Sequence, residues 1–246
     1  MRYQGGKSRI SKPISTIINY YQESKPFVSL FCGSCAVESK VTGYTSMICN
    51  DKQPYLIAML RACQSGWIPP ENVTEDEWRY VRSHLDENPA LSGFCGFGCS
   101  FGGKWFAGFA RSKDRASYAH QSKNSLLRDM QTLDKAFFTN LDYRKVPIPY
   151  GAVIYADPPY ADTTRYNHEP FDSDAFWNYM RVLVIVGGCT VFISEQKAPA
   201  DFFCIWEKPF RRTLDVNKDN QFLITEKLFT YGGVINGLQN ANQDFK

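Results

Sequence analysis

Asp157-Pro158-Pro159-Tyr160 concentrates more chemistry than any other stretch of this chain. A carboxylate is followed by carbonyl oxygens whose directions are narrowed by two fixed proline φ angles, and then by a flat ring. Such a set suits a planar substrate with an exocyclic amino group. The oxygens accept its N–H hydrogens and the ring stacks on its face. An enzyme that takes a nucleobase out of its helix to modify it needs this pocket. The same four letters also suit a strand stopped by a proline turn with an Asp capping a helix, so the surrounding elements decide between the two.

Those elements read as an α/β layout. Gly151–Ala156 is short, apolar and β-branched, which predicts a buried strand. Neither proline can donate to a ladder, so the strand stops at Ala156 and delivers Asp157 to the carboxyl edge of a sheet, where open α/β folds place ligands. Phe27–Cys32 predicts another strand, with Gly33-Ser34-Cys35-Ala36 as its turn, and Met47–Cys49 predicts a second, ended by Asn50-Asp51 and Lys52. A glycine turn after one strand and an acid after the next is the arrangement of a nucleotide-binding half. Glycine lets a ligand approach the backbone, and the acid accepts ribose hydroxyls. The full Gly-x-Gly-x-x-Gly cradle for a pyrophosphate is absent, which points to a nucleoside without phosphates, S-adenosylmethionine being the obvious one. An ordinary βαβ turn with a helix-capping Asp is the alternative. Near the start, Gly5-Gly6 allows close backbone approach and Lys7 aims a cation at whatever lies there.

Further along, Ser11 is expected to cap a helix carrying the stripe Ile14, Ile17, Ile18 and Tyr21. Pro54–Cys63 reads as a helix, and Thr74-Glu-Asp-Glu77 as a capping box opening another to about Leu85. Ser92–Phe109 alternates glycine with aromatics and predicts strands or a hairpin. Lys123–Thr139 reads as a helix, as does Asp174 to Val186. Cys189–Ser194 predicts a strand, and Phe203–Phe210 with Gln221–Phe229 an antiparallel hairpin at a sheet edge.

With 246 residues, 43% hydrophobic and 15% aromatic, the chain allows one large α/β domain, or one with an insertion, and not a disordered segment. The net charge of +3 is too small to imply nucleic acid. Its distribution says more. Glu71–Glu87 holds six acidic against two basic residues, and Phe101–Arg128 holds Lys104, Arg111, Lys113, Arg115, Lys123 and Arg128 against Asp114 alone. A basic block interleaved with Trp105, Phe106 and other aromatics suits phosphate contacts and base stacking. Core packing of the aromatics and a solvated helix face are the plainer accounts. No run approaches the ~20 apolar residues of a membrane span, and no apolar stretch follows the basic residues at the start, so no signal peptide is expected. The eight cysteines then read as reduced thiols in a cytosol. Cys32 and Cys35, with Cys95 and Cys99, have loose zinc or redox spacing, but no histidine lies near them, and no metal is expected.

Taken in order, Gly5-Gly6-Lys7, Phe31-Cys32-Gly33, Asp51, the region from Leu56 to Leu133 and Asp157–Tyr160 resemble the Dam-like DNA adenine methyltransferases, particularly those of phages and prophages. The likeness runs from Arg2 to about Tyr231. Tyr3-Gln4 stands where that family has Trp-Ala, Ser29-Leu30 where it often has Glu-Pro, and the second glycine of the turn is replaced near Cys35. The resemblance implies a Rossmann-like class I methyltransferase sheet with helices on both faces. It assigns 1–53 and 136–246 to a domain binding S-adenosylmethionine and 54–135 to an inserted target-recognition domain. It implies N6 methylation of adenine in duplex DNA, with Asp157, Pro158, Pro159 and Tyr160 catalytic. Tyr3, Gln4, Lys7, Phe31, Gly33, Ser34, Cys35, Asp51, Lys52, Asp142, Tyr143 and Asp157 would meet the cofactor. Lys104, Trp105, Phe106, Arg111, Lys113, Arg115 and Lys123 would meet DNA. A cytoplasmic monomer or weak dimer, acting on double-stranded DNA without metal or membrane, is the implied state. A catalytically silent DNA-binding relative, methylation of the cytosine amino group, and methylation of RNA or a protein amide are the rivals.

Overall fold

The computed structural model describes residues 1–111, 117–159, 171–212 and 222–232. Tyr160, Lys113 and Arg115 lie outside the described residues. β1 (Phe27–Ser29), β2 (Met47–Asn50), β3 (Ala136–Thr139), β4 (Val153–Ala156), β5 (Thr190–Ser194), β6 (Phe202–Arg212) and β7 (Phe222–Tyr231) make one sheet in the order β3-β2-β1-β4-β5-β7-β6. β1, β2 and β3 are parallel, β4 and β5 are parallel, and β7 is reversed between β5 and β6. Every residue of β1 and β4 is buried, as parallel strands covered on both faces require. β3 is an edge strand, and its Phe137 is 66% exposed. The expected terminal hairpin is present as β6 and β7, with β6 at the other edge.

The chain divides into two compact units, Met1–Pro147 and Ile148–Lys246. In the first, α1 (Ser11–Gln22) buries Ile14 and Ile18 completely. α2 (Pro54–Gln64) starts with a proline in its first turn, and the Gln53 side chain accepts from the amides of Tyr55 and Leu56. α3 (Glu75–Ser83) is opened by the expected capping box: Thr74 Oγ1 accepts from the Glu77 amide, and Glu77 accepts from the Thr74 amide at 2.7 Å. α4 (Pro89–Gly93) is capped by Asn88, and α5 (Tyr118–Met130) by Ser117. In the second unit, α6 (Ser173–Ile185) is capped by Asp172 and tied by Arg181 to Asp201, with Nη2 2.8 Å from Oδ1. Among the described residues no helix is long and apolar enough to cross a membrane.

Three local expectations are corrected. Ser11 does not cap α1; it is the first helical residue, and its hydroxyl donates to the Ser8 carbonyl. The helix expected over Lys123–Thr139 ends at Met130, and Ala136–Thr139 is β3, too short a run for its alternation to show against the helical residues before it. The glycine–aromatic stretch is not strands. α4 continues through a π-helical turn at Phe94–Gly98, and only a single antiparallel bridge, Ser100 with Phe109, remains of the expected hairpin.

Close approach explains the first three glycines in that stretch. A Cβ on Gly93 would lie 2.2 Å from the Tyr55 carbonyl oxygen, one on Gly96 2.2 Å from Cζ3 of Trp105, and one on Gly98 3.0 Å from Cβ of Ser122. The glycines let α4 and the π turn cross α2 and α5 in near contact, so Phe94 and Phe97 are fully buried. Tight packing offsets the glycine cost to helix propensity. Gly93→Ala is therefore expected to lose about 1–3 kcal/mol by overpacking against a backbone atom that cannot step aside. Urea unfolding measures it, and an unshifted midpoint would show that the crossing has slack.

Candidate functional site

The first unit gathers its polar groups at the carboxyl ends of β1 and β2, through Asn50. This residue is fully buried at the last position of β2. Its Nδ2 donates to the carbonyls of Leu30 and Leu141, each at 3.0 Å. Its Oδ1 accepts from the Leu141 amide at 3.0 Å and from Thr139 Oγ1 at 2.9 Å. The side chain thus joins the chain leaving β1 to the chain leaving β3. The Cys32 amide donates to the Asn50 carbonyl, and Asn140 Nδ2 donates to that of Asp51.

Asp51 comes next. Its Oδ2 accepts from the Gly33 amide at 3.0 Å, and its Oδ1 from the Gln53 amide at 2.9 Å. The expected pairing of glycine turn and acid is therefore a direct hydrogen bond. Gly33 adopts φ +49, the left-handed region open to glycine. Burial pushes the Asp51 carboxyl up to about 6, against the opposite pull of the Gln53 and Gly33 amides.

The N-terminal segment forms one wall. A Cβ on Gly33 would lie 2.9 Å from Cε1 of Tyr3, whose ring also meets Phe97 at 4.8 Å between centroids. Gly6 donates to the Tyr3 carbonyl, and Gln4 to that of Gly103. Lys7 is buried, with Nζ 3.4 Å from the Gly5 carbonyl. On the opposite flank, the half-buried Phe31 ring packs 5.4 Å from Tyr143. Asp142 turns to Arg144, Nε to Oδ1 at 2.8 Å and Nη2 to Oδ2 at 2.9 Å, and this guanidinium holds its carboxyl down at about 2. Ser34 and Cys35 are buried beneath the loop, Cys35 with φ +58, and Lys52 is exposed. Burial raises the Cys32 thiol well above its ordinary range. Among the described residues no three His, Cys, Asp or Glu side chains form a metal-holding group.

Asp157 belongs to the second unit. It follows β4 directly and is half-buried, with Pro158 buried and Pro159 exposed. Beneath it, Tyr155 Oη and Ser194 Oγ are 3.0 Å apart in the core, linking β4 to β5.

The basic block has a different character from the loops. Lys104 is exposed. Trp105 is half-buried and stacks on Tyr55 at 5.4 Å and 15°, while Phe106 is 7% exposed and packs on Trp78. Arg111 forks onto Glu75, with Nη2 2.8 Å from Oε1 and Nε 3.1 Å from Oε2. Lys123 Nζ is 2.6 Å from Glu71 Oε2.

Asn50 and Gln53 were not singled out from the sequence. A polar pair just before and just after the acid is the only signal they leave. Asn50→Ala is expected to cost on the order of 3 kcal/mol, because two carbonyls and an amide lose their buried partner. Denaturant unfolding tests this, and a loss below about 0.5 kcal/mol would show that water replaces the amide.

The sheet, parallel but for one reversed strand inserted before its last strand, is the class I methyltransferase fold. Residues 3–89 match the family described as D12 class N6 adenine-specific DNA methyltransferase. Among solved structures, the chain is similar to the rRNA methyltransferase AviRa of Streptomyces viridochromogenes, at 12% identity over 96% of this chain and 89% of that one, TM-score 0.44. It is also similar to a putative RNA methyltransferase of Pyrococcus horikoshii, at 11% identity over 93% and 86%, TM-score 0.39.

Proposed function

We propose that the chain is a site-specific DNA methyltransferase that moves a methyl group from S-adenosylmethionine to the N6 amino group of adenine in duplex DNA. The match of residues 3–89 to an adenine-specific family carries this reading. The Asp51–Gly33 hydrogen bond within that span supports it.

The residues fit the cofactor. Both Asp51 oxygens keep lone pairs beyond their amide bonds, so ribose hydroxyls can donate to them. Phe31 offers a ring edge to the adenine, with Tyr143 behind it. Tyr3, Gln4 and Lys7 line the amino-acid part, with Ser34, Cys35, Lys52 and Asp142 around the loop. The bound cofactor supplies an activated methyl group on a sulfonium.

Asp157 acts on the other reactant. Its carboxylate and the Pro158 carbonyl accept hydrogens from the target amino group. That group is a poor nucleophile because its lone pair is delocalised into the ring. Accepting both hydrogens favours a pyramidal nitrogen and supports the positive charge it develops. Pro159 stiffens the turn and Tyr160 stacks on the base, which leaves the duplex at a cost of a few kcal/mol. Residues 54–135 serve as the target-recognition domain within a catalytic domain of 1–53 and 136–246. Lys104, Arg111, Lys113, Arg115 and Lys123 meet phosphates, with Trp105 and Phe106 shaping the surface behind them. The setting is the interior of a bacterium or phage-infected cell, as an orphan enzyme or with a restriction partner.

Labelled methyl transfer to unmethylated duplex, followed by digestion to nucleosides, tests the reading. Label in N6-methyldeoxyadenosine supports it. Label in methylcytosine moves the target base, and no label with DNA still bound leaves a silent binding protein. Asp157→Ala is expected to keep duplex affinity and lose at least ~10²-fold in turnover. Unchanged turnover would remove Asp157 from the chemistry.

Asp51 sets a pH dependence. A carboxylate accepts more strongly from ribose than the neutral acid does. Cofactor affinity should therefore hold above the carboxyl's value of about 6 and fall below it, by roughly tenfold at pH 5. Asp51→Asn should flatten the profile, and calorimetry at both ends reads it. The sign for stability is opposite. The folded state holds the proton more tightly than the unfolded chain, so the charged carboxyl costs the ligand-free fold nothing below its ordinary 3.8 and its full penalty above about 6.

A further inference from the structure

The acidic and basic stretches of the first unit are far apart in sequence yet face each other in pairs. Glu75, the first residue of α3, takes the Arg111 guanidinium on both oxygens, with Nη2 2.6 Å from Oε2 and 2.8 Å from Oε1. It also takes Arg79, Nη2 to Oε1 at 2.6 Å. Glu71 takes Lys123 Nζ at 2.6 Å on one oxygen and His120 Nδ1 on the other. Asn124 Nδ2 lies 2.9 Å from His120 Nε2, which leaves Nδ1 as the donor toward Glu71. Arg111 and His120 are more than half exposed, whereas Glu75 and Lys123 are half-buried, so each pair has one partner at the surface.

A carboxylate forked by arginine has the same shape and hydrogen-bond pattern as a phosphate forked by arginine. Exposed pairs of this kind are weak and exchange readily. We propose that Glu71 and Glu75 are internal stand-ins for backbone phosphates, occupying Arg111, His120 and Lys123 until a duplex displaces them. The inference rests on the DNA-binding reading above and adds to it a device that sets the affinity scale. A lone anion gains little by replacing a carboxylate already in place. A duplex presenting phosphates at both positions displaces both and gains its remaining contacts as well. The mask thus lowers affinity for every duplex by the same factor, so that phosphate contacts alone bind weakly and a site that adds base contacts still binds.

Salt dependence distinguishes masking from ordinary repulsion. Each phosphate that a free cation neutralises releases a counterion and steepens the slope of log K against log salt by about 0.9. Where the cation comes from an internal pair, the freed carboxylate takes up a cation from solution and cancels much of that release. Unmasking one pair should therefore steepen the slope by up to about 0.9.

Fluorescence anisotropy of a labelled unmethylated duplex of random sequence, titrated across salt, provides the test. The proteins are the wild type, Glu75→Gln, Glu71→Gln, Asp76→Asn, and Glu75→Gln combined with Arg111→Ala. The expected result is about 3- to 10-fold tighter binding and a steeper slope for each Gln variant. Asp76→Asn, which removes a nearby exposed charge but frees none of Arg111, His120 and Lys123, should change little. The Arg111→Ala addition should remove most of the Glu75→Gln gain, leaving only what the freed Arg79 supplies. The mask is overturned, with the DNA reading intact, if the wild type binds duplex and the Gln variants bind with its affinity and slope. It is equally overturned if Asp76→Asn matches them or most of the gain survives loss of Arg111. If none of the five proteins binds duplex, the mask and the DNA reading fall together.

Discussion

Asn50, itself fully buried, uses all four of its hydrogen-bonding positions on groups from the ends of β1 and β3. A buried amide so placed has no alternative partner, and breaking one bond strands another group. The backbone after β1 and after β3 is therefore fixed relative to β2, and Asp51 inherits a set position. Its two oxygens then fix Gly33 and the start of α2 through single amide bonds. The carboxyl edge of this unit depends on the buried amide of one residue.

The same edge shows how a carboxyl can be both held and perturbed. Two backbone amides favour the charged form of Asp51, while its enclosure opposes it, and enclosure wins. Asp142, far along the chain in the segment after β3, goes the other way because Arg144 grips both of its oxygens. The two aspartates thus differ by their partners: Asp51 accepts only from backbone amides and is enclosed, and Asp142 is forked by a guanidinium.

Much of this was legible from residue types. Short apolar runs ended by Asn50-Asp51 and by Asp157-Pro158 became β2 and β4, and the Thr74–Glu77 box opened α3 where expected. Strand ends and caps are local, so sequence carries them directly. What was missed depends on distant partners. Gly93, Gly96 and Gly98 look like loop residues until Tyr55, Trp105 and Ser122 are seen against them. β3 is four residues long, and its pairing with β2 is what makes it a strand. The Arg111–Glu75 and Lys123–Glu71 pairs join residues 36 and 52 positions apart, so a charge count saw two blocks where the fold makes ion pairs.

Tyr3 stands between two glycines that have no room for a side chain. Its ring lies against Gly33, and its backbone nitrogen would be 2.7 Å from a Cβ on Gly103. Close-packed atoms transmit displacement instead of absorbing it. Tyr3 therefore fills the space that a side chain at either glycine would need, and it ties the opening residues to the loop after β1 and to the loop that holds Gly103 and Lys104.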